Sequence, residues 1–520
     1  MKLREIPVHP HFSKYLPADP SLENRSRPVN NSCFSFVSPV VPSSPKYIHH
    51  SKELAKELGL EILPNEVSSY LSGEKSIPSN DFKPFAMCYG GHQFGNWAGQ
   101  LGDGRAIIIA ETDLNDQLYQ FQLKGAGPTP YSRRADGFAV LRSSIREYLC
   151  SEAMHHLGIP TTRALSLVST GDKVTRDIMY SGDPKEEPGA IVCRVAPSFI
   201  RFGNFEIFAA RKEYDELKQL VDYTIFYHFP HLGTPSKETY LSFFREVSQR
   251  TRDLMIHWQR VGFVHGVMNT DNLSIHGLTI DYGPYGWLED YDHNWTPNTT
   301  DRDTKRYRYG NQPNIGLWNL VQLANALYTL IENPQPLEEI LEEYKETFHR
   351  DYKAMMLAKL GLYNQEIPKE FIAFTEEFLN RLKLDYTIFF RLLSEEPITE
   401  SRFVEIISAS SYLNKETVEA MKGYSLDWLG HYLEHLDYET TNWEVRSTKM
   451  KQINPKYVLR NYMAQIAIEE AERGNYALID ELYQMLLNPY DDQPHYQKWF
   501  AKRPEWAANK IGSSMLSCSS

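Results

Sequence analysis

Several groups of residues in this 520-residue chain have types and spacings suited to chemistry. The stretch Gly99-Gln-Leu-Gly102-Asp-Gly104-Arg105 leads straight into an apolar run, Ala106–Ala110. Closely spaced glycines let backbone N–H groups approach phosphate oxygens, and Arg105 adds positive charge. A tight β-turn accounts for the same glycines. Lys124 ends the alternating run Tyr119-Gln-Phe-Gln-Leu-Lys, and Glu147 follows further along the chain. In one reading the lysine holds phosphates and the glutamate holds the lysine. In the other, Glu147 is the N3 partner of a capping box begun by Ser144. Arg194 and Arg201 sit in the apolar stretch Cys193-Arg-Val-Ala-Pro-Ser-Phe-Ile-Arg201, with few acids nearby. Two buried guanidinium groups need an anion, supplied either by a ligand or by carboxylates elsewhere in the chain. Pro197 interrupts any single regular element there, so the arginines are expected to meet across a turn.

The most specific group is Val264-His265-Gly-Val267-Met-Asn-Thr-Asp271-Asn272, followed by Ile280-Asp281-Tyr282-Gly283. Kinase catalytic loops read H-R-D-x-x-x-x-N with D-F-G downstream. His265 and Asn272 keep that register, Asp281-Tyr-Gly replaces D-F-G, and Val267 stands where the catalytic aspartate is expected. The oxygens of Asn272 and Asp281 suit a divalent ion held between phosphates. Asp271 is the only carboxylate in the loop and comes four residues late. Such a chain either binds nucleotide without turning it over or uses another base, and two metal ligands beside a displaced acid favour the second. A glycine-rich loop, a strand lysine and a helix glutamate also follow the kinase-like order. A second H-R-D, His349-Arg350-Asp351, lies mid-helix with Met356 where asparagine is required, and reads as a solvated helix face.

The elements that must position these groups follow from pattern. Residues 1–45, rich in Pro, Ser and Asn, are expected to wrap over a core, with a helix near Ser51–Leu60. From Phe85 to Ile200, glycine-rich turns alternate with β-like runs at Arg105–Ala110, Tyr119–Lys124 and Ala190–Val195. One helix, Ser144–Leu157, interrupts them, stopped by Gly158 and Pro160. From Tyr214 the pattern is helical, with Tyr240–Val261 strongly amphipathic, a loop-rich stretch to about Gly310, then helices such as Leu337–Leu360 and Val458–Leu487. A β-rich half against a helical half places a ligand cleft between them.

Composition narrows the class. Acidic residues outnumber basic ones, 67 to 55, for a net charge of −12, which argues against a nucleic-acid binder. No run approaches the ~18 apolar residues of a membrane helix. The first thirty residues carry Glu5, Asp19 and Glu23 without an apolar core, so a cytoplasmic location is expected. Five cysteines with no CxxC fit a reducing compartment.

Tyr89-Gly-Gly-His-Gln-Phe-Gly-Asn-Trp-Ala-Gly-Gln-Leu-Gly-Asp-Gly-Arg105 closely resembles the selenoprotein O (YdiU) family of protein adenylyltransferases. Gln122-Leu-Lys-Gly-Ala-Gly-Pro-Thr-Pro-Tyr131, Arg194 to Gly203, Asn269-Thr-Asp-Asn272, Asp281-Tyr-Gly-Pro, Tyr309-Gly-Asn-Gln-Pro and Asn454-Pro455 with Arg460-Asn461 extend the match over nearly the whole chain. The resemblance implies an α+β, protein-kinase-like (pseudokinase) fold that holds ATP in a flipped orientation and transfers AMP to Ser, Thr or Tyr hydroxyls of proteins. It implies an N-terminal segment 1–84, lobes at 85–205 and 206–325, a helical extension at 326–520, and a monomer. Gly102, Gly104, Arg105, Lys124, Asp136, Gly137, Arg194 and Arg201 match nucleotide contacts, with Glu147 positioning Lys124. Asp271 matches the base, and Asn272 and Asp281 match ligands of Mg²⁺ or Mn²⁺. Cys518 resembles the cysteine found near the terminus of some members, but no cysteine lies between Cys193 and Cys518 to receive a redox clamp. An ordinary phosphotransferase and a non-catalytic nucleotide-binding scaffold are the competing readings.

Overall fold

The computed structural model describes all residues except 179–181, 365, 438–441 and 518–520, so Cys518 lies outside the described residues. Alternating apolar runs build β1 (Phe34–Phe36), β2 (Lys46–His50), β3 (Phe85–Met87), β4 (Gly90–Gln93), β5 (Asn96–Gln100), β6 (Ala106–Leu114), β7 (Gln117–Lys124), β8 (Arg163–Arg176) and β9 (Lys185–Ala196). Seven of these form one sheet in the order β1-β3-β6-β7-β9-β8-β2. Every adjacent pair is antiparallel. The β6–β7 turn is Asn115-Asp116, both at positive φ, the conformation that matches strand twist in a two-residue hairpin. Strands β4 and β5 make a separate hairpin.

Sequence reasoning did not anticipate β8. Its alternation is broken by register shifts at Ala164/Ser166 and Ser169/Lys173, so a period-2 pattern is visible only in pieces. Residues before 84 also enter the sheet through β1 and β2, and Phe12 stacks on Phe85 at 5.5 Å.

The helix expected from Ser144 starts at Leu141 and runs to His156. The Ser144–Glu147 capping box is therefore absent: the Ser144 N–H donates to Val140 O at 3.1 Å, inside the helix. Val140 is extended and bridges to Gly189, so the sheet edge sets where the helix begins. Its stop is the expected one, with Gly158 at φ 72°. The apolar face of this helix packs on β8 and β9.

The second half is helical. Lys237–Val261 is capped by Ser236 Oγ, which accepts from Thr239 N, and ends at Gly262 in the left-handed region. Gln335–Lys359 contains the second H-R-D, where Arg350 pairs with its neighbour Asp351 at 2.7 Å on the exposed face. The segment expected as one helix over 458–487 is two, Asn461–Glu472 and Ala477–Leu486, separated near Gly474 at φ 85°. These helices are stitched to the β half. The Tyr483 hydroxyl lies 2.9 Å from Ser51 Oγ, His49 Nε2 sits 3.1 Å from Asp480 Oδ1, and Arg146 reaches Asn461.

Cys33, Cys88, Cys150 and Cys193 are buried and unpaired, and burial pushes the Cys88 thiol up to about 12. Among the described residues no helix is long and apolar enough to cross a membrane.

One buried ion pair joins the helical layers. Asp385 is fully buried and accepts two 2.8 Å bonds from Arg460, while its Oδ1 also caps the helix Tyr386–Leu393. Asp385→Ala leaves Arg460 without its counter-charge, and denaturant titration should show a loss of about 3–5 kcal/mol.

Candidate active site

Strand register places the first cations. Lys124 closes β7, opposite Ala106 on β6 and Val192 on β9, and Arg194 on β9 lies opposite Gln122. Strand β9 stops at Ala196, before Pro197, and the chain turns through Ser198–Ile200. The Phe199 N–H there donates to Gln120 Oε1 at 3.1 Å. Arg201 then caps the helix Phe202–Arg211, with Asn204 Oδ1 accepting from the Arg201 N–H at 2.8 Å. The two arginines do meet across a turn, and both side chains are 1% exposed.

They meet on Asp281. Arg194 Nη1 lies 2.5 Å from Asp281 Oδ1, Arg201 Nη1 bonds Oδ2, and Lys124 Nζ is 3.8 Å away. Glu147 takes Lys124 Nζ at 2.6 Å and Arg194 Nη1 at 3.1 Å. Asp103 stands 3.9 Å from Arg201. The anions that these arginines require are thus, in this state, three of the chain's own carboxylates, Asp281, Glu147 and Asp103. Burial alone would raise the Asp281 carboxyl, but Arg201, Arg194 and Lys124 together hold it well below the usual carboxylate range. Burial lowers Lys124 against the opposing pull of Glu147 and Asp281.

Asp281 adopts φ 59°, a left-handed conformation costing a non-glycine residue about 1–2 kcal/mol. Neighbouring contacts hold it there. His265, stacked on Trp258 at 5.4 Å, places Nε2 2.8 Å from Ile280 O. Tyr282 bonds Thr161. Arg146, adjacent to Glu147, donates to Tyr285 O at 2.8 Å, and the Tyr285 hydroxyl donates back to Arg146 O.

The loop 263–272 is held by side-chain amides that capture its backbone. Gln312 donates to Phe263 O, Asn319 to Met268 O and Asn298 to Gly266 O. Val267 O accepts from Asn272 Nδ2 at 2.9 Å, which leaves the Asn272 amide oxygen for another partner. Asp271 is buried. Its Oδ2 accepts from Gln93 Nε2 at 3.3 Å, its backbone oxygen accepts from Arg201, and its Oδ1 has no hydrogen-bond partner. Burial, opposed by Arg201, pushes this carboxyl up to about 7. A buried carboxylate oxygen without a donor is costly in a resting protein and free to take a proton.

The β4–β5 hairpin covers Asp271. His92 N–H donates to Thr270 Oγ1 at 2.8 Å, and Phe94 N–H donates to the Tyr307 hydroxyl at 2.9 Å. Sequence reasoning singled out Gly99–Gly104 and passed over Gly90-Gly91, although that adjacent pair was the available signal. A Cβ on Gly91 would stand 2.7 Å from Asp271 Oδ1. Gln93, Gln122 and Asp103 also touch the site without having been singled out.

The other expected residues are placed differently. Gly102 and Gly104 pack against Tyr131, where a Cβ would collide with its ring or backbone, so the tight-turn reading accounts for both. Arg105 is exposed, its carbonyl accepts from Gly125 N–H at 2.8 Å, and its charge helps to lower Lys124. Asp136 lies on the surface in a two-point pair with Arg176, at 2.7 and 2.8 Å, and Gly137 packs on Gly127. Neither touches the cation cluster.

Among the described residues no set of three His, Cys, Asp or Glu side chains can hold a metal alone. Hard oxygens from Asn272 and Asp281 suit Mg²⁺ or Mn²⁺ provided that a ligand completes the shell, so the donor set fits a metal that arrives with phosphates. The site thus gathers buried cations around one strongly acidic carboxylate, Asp281, next to a second buried carboxylate, Asp271, whose Oδ1 has no hydrogen-bond partner, and comparison with known proteins gives the class as nucleotidyltransferase. Residues 21–487 match the family model described as protein adenylyltransferase SelO. The chain is 56% identical to the protein nucleotidyltransferase YdiU of Flavobacterium johnsoniae, with all of both chains aligned. It is 50% identical to that of Rhodopirellula baltica over 98% of each chain, and 49% identical to that of Aromatoleum aromaticum over all of both. The chain belongs to this protein adenylyltransferase family.

Gly91→Ala tests the hairpin. The added methyl group meets the Asp271 carboxylate, so transfer activity should fall about 10²–10⁴-fold if that carboxylate serves as the general base. Nucleotide affinity, measured by calorimetry, should stay within about twofold because Gly91 touches none of the cations.

Proposed function

We propose that the chain transfers AMP from ATP to Ser, Thr or Tyr hydroxyls of proteins and releases pyrophosphate. The observation that carries this reading is the unpartnered oxygen of Asp271, a buried carboxylate beside the arginine cluster. Asp271 takes the proton of the attacking hydroxyl as its oxygen bonds the α-phosphorus and the α–β anhydride bond breaks. Arg194, Arg201 and Lys124 bind phosphate oxygens and stabilise the departing pyrophosphate, electrostatic work of the kind that dominates such transfers. Glu147 keeps Lys124 in place, and Arg105 adds charge nearby. Asn272 and Asp281 would hold Mg²⁺ or Mn²⁺, which when bound would neutralise phosphate charge. The family pattern adds Gly102, Gly104, Asp136 and Gly137 to the nucleotide contacts.

The same reading takes 85–205 and 206–325 as two kinase-like lobes, with 326–520 as a helical extension. The sheet bearing Lys124, the helix bearing Glu147 and the loop bearing Asp271 and Asn272 support it. Asp281 acts in this picture as a resident counter-ion. It holds the arginines while phosphates are away, and it would serve as a ligand of a metal that accompanies the nucleotide.

Two experiments test this. With ATP labelled at the α- or the γ-phosphate, protein-bound label should come from the α position only. Label from γ alone would make the chain a kinase, and no label from either would leave a scaffold. Asp281→Asn should abolish transfer, yet bind ATP in EDTA about tenfold more tightly, because the arginines lose their competitor. Unchanged metal-free affinity in calorimetry would remove the counter-ion role.

A further inference from the structure

The segment from Asp301 to Arg308 runs against the general charge of the molecule. Arg302, Lys305, Arg306 and Arg308 fall within seven residues of a chain whose net charge is −12. Among the described residues none of the four has a carboxylate oxygen within 4 Å. The segment holds two acids: Asp303 is exposed between Arg302 and Lys305 and, among the described residues, lies more than 4 Å from any of these cations, while Asp301 faces inward. It is fully buried and accepts from Thr304 Oγ1 at 2.6 Å, Arg306 N–H at 2.9 Å and Tyr307 N–H at 2.7 Å. That folding pins the segment and turns its cations outward. Arg302 and Lys305 are exposed. Arg306 is half-buried, its guanidinium lies 4.7 Å from the centre of the Trp318 ring, and its Nε has no hydrogen-bond partner.

This ledge adjoins the proposed base. The β4–β5 hairpin separates the two: Gln93 donates to Asp271 Oδ2, and a Cβ on Gly95 would lie 3.2 Å from the Arg306 guanidinium carbon. Those positions flank Phe94 in the tight turn that joins β4 to β5. The Tyr307 hydroxyl ties the ledge to the catalytic loop by donating to Asn269 Oδ1 at 2.6 Å. Beyond it, Arg302 and Lys305 line a groove of about 170 Å³, closed on one side by Ser514 and Met515 of the C-terminal segment. Asp292 is the only acid in its lining.

We infer that residues 302–308 form a docking surface for an acidic stretch of the substrate protein, flanking the hydroxyl that meets Asp271. The inference rests on the protein-substrate reading above. The occupant follows from charge: four cations without an ion pair among the described residues, against the one exposed acid Asp303, give this segment a net positive charge on a net-negative molecule and attract carboxylates. Arg306, stacked and partly desolvated, offers the strongest single contact, a fork suited to one carboxylate.

The test uses the full-length protein and three synthetic 13-residue peptides with a central serine, flanked by Glu, Gln or Lys. Fluorescence anisotropy should show the Glu peptide binding about tenfold more tightly than the Gln peptide, with the Lys peptide weakest. R302E/K305E, at two exposed positions, should erase or reverse that order without changing MgATP affinity. R306Q, with its fold checked by circular dichroism, should weaken the Glu peptide alone. Equal binding of all three peptides, or an order unaffected by R302E/K305E, overturns the docking surface. So does a loss of MgATP affinity in that variant, which would assign the ledge to the nucleotide. Transfer of α-label to the same peptides is scored separately. Charge-selective binding without transfer keeps the surface and removes the adenylyl-transfer reading; transfer without charge preference does the reverse.

Discussion

The structure turns on one buried carboxylate. Asp281 sits among Arg194, Arg201 and Lys124, each drawn from a different stretch of chain, and none of these charges can be buried alone. Because the cations come from two adjacent strands and a helix N-terminus, their convergence fixes how the sheet meets the loop that carries Asp281. Glu147 adds the helix to the same knot. The left-handed backbone at Asp281 is tolerated for the same reason, since three cations outweigh a cost of about 1–2 kcal/mol.

The neighbouring carboxylate has the opposite surroundings. Asp271 meets an amide at one oxygen, nothing at the other, and a distant arginine through its backbone. Burial raises its affinity for a proton, while charge lowers that of Asp281. Two nearby acids are thus pushed in opposite directions, one chiefly by burial and the other by charge. Val267, where a kinase-like loop would carry its acid, is spent on packing and on a carbonyl that orients Asn272.

Much of this could be read from the sequence. The alternation before Lys124, Pro197 between the arginines, and the spacing of His265, Asn272 and Asp281 each translate into a local geometry that the fold keeps. The unread parts depend on partners distant in sequence. Glu147 as a capping residue was a sound local inference, but the pairing of Val140 with Gly189 starts the helix earlier and turns Glu147 toward Lys124. Glycine spacing at Gly102 and Gly104 likewise cannot reveal Tyr131 packed against them. The hairpin over Asp271 and the bulged strand β8 were hidden in the same way, the first by a contact between residues 91 and 271 and the second by broken alternation.

The stitching of Asn461, Asp480 and Tyr483 onto the β half has a consequence for how the enzyme comes into being. Arg146 and the residues around Ser51 find their last partners only in helices made near the end of translation. At about 5–20 residues per second, the ribosome adds the roughly two hundred residues between Asp281 and Tyr483 in about 10–40 s. Through that interval the nascent chain carries every charged group of the site without the buttress that sets their positions. A chain cut short before Asn461 would carry every charged residue of the site yet lack these contacts.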